Sequence, residues 1–204
     1  NTIVVFCADH GDFSGEHRMS CKGGVFYDCL TRVPLILSGP GHINSGVRES
    51  SMTNLVDVVP TLLTLQGITM PRSMHGQGLP VATDAVPREA TFSEYGSGGP
   101  PFRMTDLTDL PRPYGRRALM RSLRWREAEG RRKMVRTRRW KYVHDPMGDL
   151  DELYDLERDP WELSNVARDP AYRTVVAEMQ GRLMDWSIMT EDADPVPLPD
   201  EDEE

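Results

Sequence analysis

The amino-acid sequence predicts an α/β domain followed by a small α+β subdomain. Residues 2–7 form a continuous run of mainly β-branched and aromatic side chains, which is typical of a central strand buried on both faces of a parallel sheet. Residues 53–65 repeat apolar side chains every three or four positions, which predicts a helix. Residues 96–101 are a Gly-Pro-rich breaker, beyond which strands and a terminal helix are predicted.

The remaining elements follow from similar patterns. A second short apolar strand is predicted at 32–37, where a Ser-Gly-Pro-Gly turn closes it. The helix at 53–65 stops before Gly67, and Pro60 either kinks it or lies in the first turn of its second half. The other predicted elements are strands at 90–95, 133–143 and 152–156 and a final helix at 170–186.

We divide the chain into three segments. The α/β domain is placed at 1–98, the α+β subdomain at 99–190 and an acidic tail at 191–204. The net charge is -8, but the tail alone carries eight acidic residues and no basic one, so the rest of the chain is neutral. Such a proline-rich acidic tail is expected to stay solvated and disordered.

The compartment in which the protein works stays open. No apolar stretch approaches the ~20 residues of a membrane span, so the sequence predicts none. Cys7, Cys21 and Cys29 lack a metal-binding spacing and weakly favour a reducing compartment, although Cys21 and Cys29 could pair. The sequence starts without Met and leads directly into a strand, so we expect part of a longer protein, which could be cytoplasmic, periplasmic or secreted.

Polar side chains at the end of the first predicted strand suggest a ligand site. Asp9 and His10 follow that strand directly, and Gly11 lets the backbone turn beneath them. Ligands of open α/β sheets bind at the carboxyl ends of strands, and a carboxylate beside an imidazole can bind one divalent ion. A hydrogen-bonded turn without a metal explains these two residues equally well.

The following loop adds a second imidazole, His17, and an ammonium, Lys22. A metal, a cation and a titratable His together fit the hydrolysis of an anionic ester. The metal and Lys22 would neutralise non-bridging oxygens, while a His could protonate the leaving oxygen.

These residues and later motifs resemble the sulfatase branch of the alkaline phosphatase superfamily. The triplet Asp-His-Gly is shared with phosphodiesterases, whereas the Lys twelve residues after His10 is more discriminating. The resemblance runs in order over roughly residues 1–186. The matching motifs are Ala8-Asp9-His10-Gly11-Asp12, Gly15-Glu16-His17, Lys22, Tyr27, Arg32-Val33-Pro34-Leu35-Ile36, Asn54-Leu55-Val56-Asp57, Pro60-Thr61-Leu62-Leu63, Met74-His75-Gly76-Gln77-Gly78-Leu79, Val135-Arg136-Thr137, Trp140-Lys141-Tyr142, Glu152-Leu153-Tyr154-Asp155-Leu156, Asp159-Pro160, Glu162 and Asn165.

The resemblance implies roles for four of these residues. Residues 1–98 would be the carboxyl-terminal portion of an alkaline-phosphatase-like α/β sheet domain. Asp9 and His10 would be metal ligands, and Lys22 would bind a sulfate oxygen. His17 would be the leaving-group acid unless that acid lies upstream. The metal of the family is commonly Ca²⁺, and the imidazole ligand leaves Mn²⁺ open.

The resemblance also implies what the chain lacks. Sulfatases use a formylglycine made from a Cys/Ser-x-Pro-x-Arg motif, and this sequence contains no such motif. We therefore expect the nucleophile upstream, in another half of the same protein, and expect this chain to be inactive alone. The implied substrate is a small-molecule or carbohydrate sulfate ester. The alternatives are a phosphonate monoester hydrolase or phosphodiesterase of the same superfamily and a non-catalytic polyanion-binding remnant.

Residues 112–141 carry thirteen basic residues against Glu127 and Glu129, with aromatic residues between them. This composition could bind nucleic acid, but an exposed basic face is the favoured interpretation. A rim that attracts a sulfated substrate is an intermediate one. An oligomer is compatible with the sequence.

Overall fold

The computed structural model describes residues 2–71, 73–96, 132–146 and 151–191. The strands are β1 Val4–Cys7, β2 Phe13–Ser14, β3 Ser20–Cys21, β4 Leu35–Ser38, β5 Ala90–Tyr95, β6 Arg132–Thr137, β7 Trp140–His144 and β8 Glu152–Asp155. The α-helices are α1 Asp28–Thr31, α2 Val58–Leu65 and α3 Arg173–Met189, and 3-10 turns lie at Glu16–Arg18, Leu55–Asp57 and Pro170–Tyr172. None of the helices in these ranges is long and apolar enough to cross a membrane.

β1 and β4 form an antiparallel pair, so the expectation of parallel pairing for β1 is wrong for its described partner. Cys7 faces Leu35, which means that the segment between the two strands starts and ends at the same end of the pair. That connection reverses the chain direction, whereas a parallel pair needs a crossover to the opposite end. Phe6 and Ile36 face each other and are both 60% exposed, so the described residues do not cover this apolar face.

The part of the chain from β5 onward, called the C-terminal half below, contains an antiparallel sheet with the order β5-β6-β7-β8, packed against α3. Val135, Tyr142 and Leu153 are completely buried in its core. Met179 and Leu183 lie four positions apart on α3, so one face of the helix covers these side chains. The predicted α+β character of this half is therefore confirmed.

Two details of this sheet differ from the sequence-based expectations. The single strand predicted at 133–143 is a hairpin, because Thr137 Oγ1 accepts a hydrogen bond from the Trp140 backbone N–H at 3.0 Å and closes a turn. β5 pairs with β6, so the sheet includes residues from before the boundary predicted at 98. The breaker from residue 97 onward and the acidic tail from residue 192 onward lie outside the described residues.

The predicted helix at 53–65 is a 3-10 turn that continues into α2. Pro60 lies in the first turn of α2, where its missing N–H removes no intrahelical bond. Gly67 has a φ of 69° and follows the end of the helix, as the sequence predicts. Asp57 is 2% exposed and accepts hydrogen bonds from the backbone N–H groups of Asn54 and Gln77, so it ties the helix start to the loop after it.

Candidate functional site

Asp9, His10 and Lys22 lie together beside the end of β1. Asp9 and His10 follow the strand directly, and the β2–β3 hairpin returns the chain so that Lys22 reaches the same place. Lys22 Nζ lies 2.6 Å from His10 Nε2, and Asp9 Oδ2 lies 3.5 Å from the same nitrogen. Two residues that are adjacent in sequence and a third twelve positions later therefore form one cluster.

The hydrogen bonds of His10 fix which ring nitrogen can bind a ligand. Its Nδ1 lies 2.8 Å from the carbonyl oxygen of Gly11, which can only accept a hydrogen bond. Nδ1 therefore carries the proton in the neutral ring, and the lone pair is on Nε2. The side chain is about one-third exposed, so Nε2 is accessible.

Asp9 supplies a carboxylate next to that nitrogen. The backbone N–H of His10, which donates to Asp9 Oδ1 at 2.9 Å, is the main cause that holds the pKa of Asp9 below its ordinary value. The carboxyl is therefore ionised at neutral pH, as a metal ligand must be. Its side chain is 87% exposed and free to turn toward an ion.

These donors fit one side of a divalent metal site. A carboxylate oxygen suits Ca²⁺ and Mn²⁺, and an imidazole nitrogen suits transition metals. Ca²⁺ takes six to eight ligands, but no group of three or more His, Cys, Asp or Glu side chains suitable for a metal occurs in the described ranges. Asp9 and His10 could therefore hold an ion only with further ligands from elsewhere.

His17 makes a different set of contacts. Its ring stacks on Tyr27 with centroids 3.7 Å apart and meets the edge of Phe13 at 6.2 Å. Burial raises the pKa of Tyr27, so the hydroxyl group of Tyr27 stays protonated and uncharged at neutral pH. Within the described residues, no hydrogen bond or ion pair joins His17 to Asp9, His10 or Lys22, and its role as an acid stays a prediction.

A broad depression includes the cluster. Asp9, His10 and Lys22 line it together with Arg136 and Arg138, and its volume is about 3270 Å³. Ligand pockets typically measure about 300–1000 Å³. The depression is therefore an open groove rather than a fitted pocket, and His17 is not among the residues that line it.

The basic stretch is only partly an exposed face. Residues 112–131 lie outside the described part. Beyond them, Lys141 is completely buried and Arg132 is 4% exposed, so the expectation of an exposed basic face is wrong for these two. Their partners are buried acidic residues, which neutralise the charge.

Comparison with known proteins decides the family. The sequence matches the family N-sulphoglucosamine sulphohydrolase, C-terminal, over residues 15–95 and 125–188, which is well over half of the chain. The chain belongs to the sulfatases. Delta 4,5-hexuronate-2-O-sulfatase of Bacteroides thetaiotaomicron is 34% identical over 202 residues, and the match covers 94% of this sulfatase chain and 36% of that relative. Human arylsulfatase K is 31% identical over 169 residues, with 81% of this chain and 28% of that relative covered.

Solved structures confirm the α/β fold class. A 2-O GAG sulfatase has a TM-score of 0.72 and 31% identity, covering 93% of this sulfatase chain and 37% of its own. A protein solved in complex with its substrate D-glucosamine-2-N,6-O-disulfate has a TM-score of 0.72 and 26% identity. The match covers 95% of this sulfatase chain and 35% of that protein. The phosphonate monoester hydrolase of Agrobacterium radiobacter has a TM-score of 0.72 and 29% identity, covering 92% and 35%. The sulfatase chain thus spans about a third of the length of these proteins.

Proposed function

We propose that this chain supplies the metal-binding and sulfate-binding side of a sulfuric ester hydrolase. The observation that carries the proposal is the convergence of Asp9, His10 and Lys22 at the end of β1. A carboxylate, an imidazole lone pair and an ammonium within a few ångströms suit an ion together with an anionic ester. Membership of the sulfatases supports a sulfate ester as that anion.

Each residue has a separate role in this proposal. Asp9 and His10 hold a divalent ion, either Ca²⁺ or Mn²⁺, which when bound polarises a sulfate oxygen as a Lewis acid. Lys22 donates to a non-bridging sulfate oxygen and balances the charge that develops in the transition state. The proton for the leaving oxygen comes from His17 or from a residue outside this chain.

The nucleophile belongs to another part of the protein in this proposal. A formylglycine there would supply it, because residues 1–204 contain no Cys/Ser-x-Pro-x-Arg motif. The proposal therefore gives this chain no activity by itself. We use the term full-length protein for this chain together with the part that carries the nucleophile.

A sulfated carbohydrate is the substrate class that the relatives favour. One relative is named a hexuronate-2-O-sulfatase, and one structural neighbour holds a glucosamine disulfate. The open groove beside Lys22 could admit a sugar, whereas a fitted small-molecule pocket is not formed by the described residues alone.

The test is turnover by the full-length protein of an aryl sulfate and of sulfated disaccharides. Replacing Lys22 with Ala should lower kcat/KM for sulfate esters by about 10²–10³-fold, since it removes a charged donor to the developing anion. Arg18→Ala removes an exposed cation from the turn between β2 and β3 and serves as the matched control. Equal turnover by the Lys22→Ala variant and the wild type would reject the proposal.

A phosphonate monoester hydrolase is the second candidate. The Agrobacterium radiobacter enzyme has the same TM-score as the sulfatase neighbours, and phosphoryl oxygens need similar neutralisation. The ratio of kcat/KM for an aryl sulfate and an aryl phosphonate distinguishes the two enzymes. A non-catalytic polyanion-binding protein would show no metal-dependent turnover of either ester, and its binding would weaken steeply with salt.

A further inference from the structure

A buried cluster of charged side chains joins the C-terminal sheet to α1. Lys141 extends from β7, and its Nζ lies 2.5 Å from Asp28 Oδ1 and 2.6 Å from Glu162 Oε1. The same ammonium donates to the carbonyl oxygen of Phe26 at 2.8 Å. Lys141 has no exposed surface and Glu162 is 3% exposed. A folded protein tolerates charges buried this deeply only when they are paired. The ion pairs of the cluster therefore hold its members in fixed positions.

Arg136, which belongs to the same cluster, and Glu162 hold the beginning of α1. Arg136 donates through Nε and Nη2 to both carboxylate oxygens of Asp28, at 3.2 and 3.1 Å, which is a bidentate contact with a fixed orientation. Glu162 Oε2 accepts from the backbone N–H of Asp28 at 2.6 Å. The side chain and the backbone of the first residue of α1 are therefore both held by the C-terminal half.

α1 in turn contacts the loop that carries Asp9 and His10. The backbone N–H of Gly11 donates to the carbonyl oxygen of Leu30 at 2.8 Å. A Cβ atom at Gly11 would lie 1.9 Å from the carbonyl oxygen of Cys29, so the two backbones are in direct contact. The carbonyl oxygen of Gly11 is also the partner of His10 Nδ1. The position of α1 therefore determines where the imidazole lies.

We infer that Lys141 and Glu162 are positioning residues for the Asp9–His10 pair. They act through Asp28 and α1, and neither touches the ion or the ester. The inference rests on the proposed function for the identity of the ligand. Residues that orient metal ligands typically change metal affinity by 10- to 100-fold when they are replaced.

The test compares two buried carboxylates in the full-length protein. Glu162→Gln weakens the contact to Lys141, while Asp155→Asn weakens an ion pair with Arg139 at 2.8 Å in the same half. Asp155 is 6% exposed, which matches the burial of Glu162. Both variants should lose thermal stability, so the melting temperature alone does not distinguish positioning from structural support.

Two measurements do distinguish them: hydrogen exchange of the Gly11 amide and titration with Ca²⁺. Glu162→Gln should speed the exchange and raise the Kd for Ca²⁺ on the order of tenfold, whereas Asp155→Asn should leave both at their wild-type values. Equal effects of the two variants, or no effect of Glu162→Gln, would overturn the inference. If Glu162→Gln does not fold, Glu162→Asp keeps the charge with a shorter reach and is measured in the same way.

Failure of the proposed function gives a different result. A wild-type protein that binds neither Ca²⁺ nor Mn²⁺ and hydrolyses no sulfate ester in the presence of either ion would reject that function. The exchange rate of the Gly11 amide needs no metal, so it still decides whether the cluster holds the loop.

Discussion

The ammonium of Lys22 lies 2.6 Å from Nε2 of His10, the ring nitrogen that carries the lone pair. The same lone pair is the one that a metal would use. The two roles proposed for these residues, sulfate binding and metal binding, are therefore coupled through one nitrogen. The ammonium of Lys22 has three N–H donors and can still donate to a sulfate oxygen, but a metal can bind Nε2 only when Lys22 no longer donates to that nitrogen.

This contact predicts opposite effects on metal affinity for substitutions of two neighbouring residues. Lys22→Ala removes a positive charge and a competing donor, so Ca²⁺ should bind at least as tightly as to the wild type. His10→Ala removes a ligand and should raise the Kd by at least tenfold. Titration of the full-length protein with Ca²⁺, in parallel with KM for an aryl sulfate, measures both effects.

Lys22→Gln provides the matched control, since it removes the charge and keeps much of the length. It should resemble Lys22→Ala in metal affinity and in its weakened sulfate binding. Weaker Ca²⁺ binding by both Lys22 variants would mean that the lysine supports the metal site, contrary to the coupling described here.

A side chain at position 11 should destabilise the fold, whereas a side chain at position 23 should be tolerated. A Cβ atom at Gly11 would lie 1.9 Å from the carbonyl oxygen of Cys29, whereas no atom lies within 4 Å of a Cβ atom at Gly23. Gly11→Ala should lower the free energy of unfolding by about 1–3 kcal/mol or more, and Gly23→Ala by less than about 0.5 kcal/mol. Thermal melting of the two variants checks the difference, and equal melting temperatures would contradict the packing of α1 against the loop.

The sequence could predict the local elements and the cluster at the end of β1. Short-range signals predict the observed elements correctly: the apolar runs, the helical repeat and the end of the helix before Gly67. Asp9 and His10 are adjacent, and a strand end predicts where they emerge. The sequence places Lys22 in the loop after that strand, but it does not show the β2–β3 hairpin that returns the chain and brings Lys22 to His10.

The long-range arrangement could not be predicted in this way. Lys141 and Asp28 are 113 positions apart, and a lysine in a basic stretch is ordinarily exposed. Residues 96–131 separate β5 from β6 in the sequence, and no short-range pattern predicts that these two strands pair. The direction of β1 relative to β4 depends on the path between them, which the apolar run at 2–7 does not encode.

The contact between Asp57 and Arg88 should stabilise the region around α2. Asp57 Oδ2 lies 2.5 Å from Arg88 Nη1, and the carboxylate is almost completely buried. Removal of one partner of a buried ion pair leaves the other unpaired, so Asp57→Asn and Arg88→Met should each cost about 3 kcal/mol. The double variant should lose less than the sum, because neither charge then remains unpaired. Additive losses in thermal melting would show that the pair is not coupled.

Asp28 should contribute stability that is lost in acid. Burial by itself raises the pKa of its carboxyl, but the charges and hydrogen bonds of Lys141 and Arg136 outweigh burial and lower it. A lowered pKa means that the contribution is fully present above the unfolded value of about 3.9 and is lost as the pH falls through the folded value. Asp28→Asn should therefore cost about 3 kcal/mol at pH 7, and the difference from the wild type should shrink below about pH 4.

Glu152 should show the opposite dependence, because burial raises the pKa of its carboxyl. A raised pKa means that its contribution is fully present below the unfolded value of about 4.3 and is lost as the pH rises through the folded value. The stability of Glu152→Gln relative to the wild type should therefore be higher at pH 8 than at pH 4. Melting temperatures of both variants across this range provide the measurement. A general effect of acid on the fold would change the melting temperatures of Asp28→Asn and Glu152→Gln in the same direction. Carboxyls with oppositely shifted pKa values should instead make the two curves of melting temperature against pH diverge. Parallel curves would therefore contradict the opposite pKa shifts of Asp28 and Glu152.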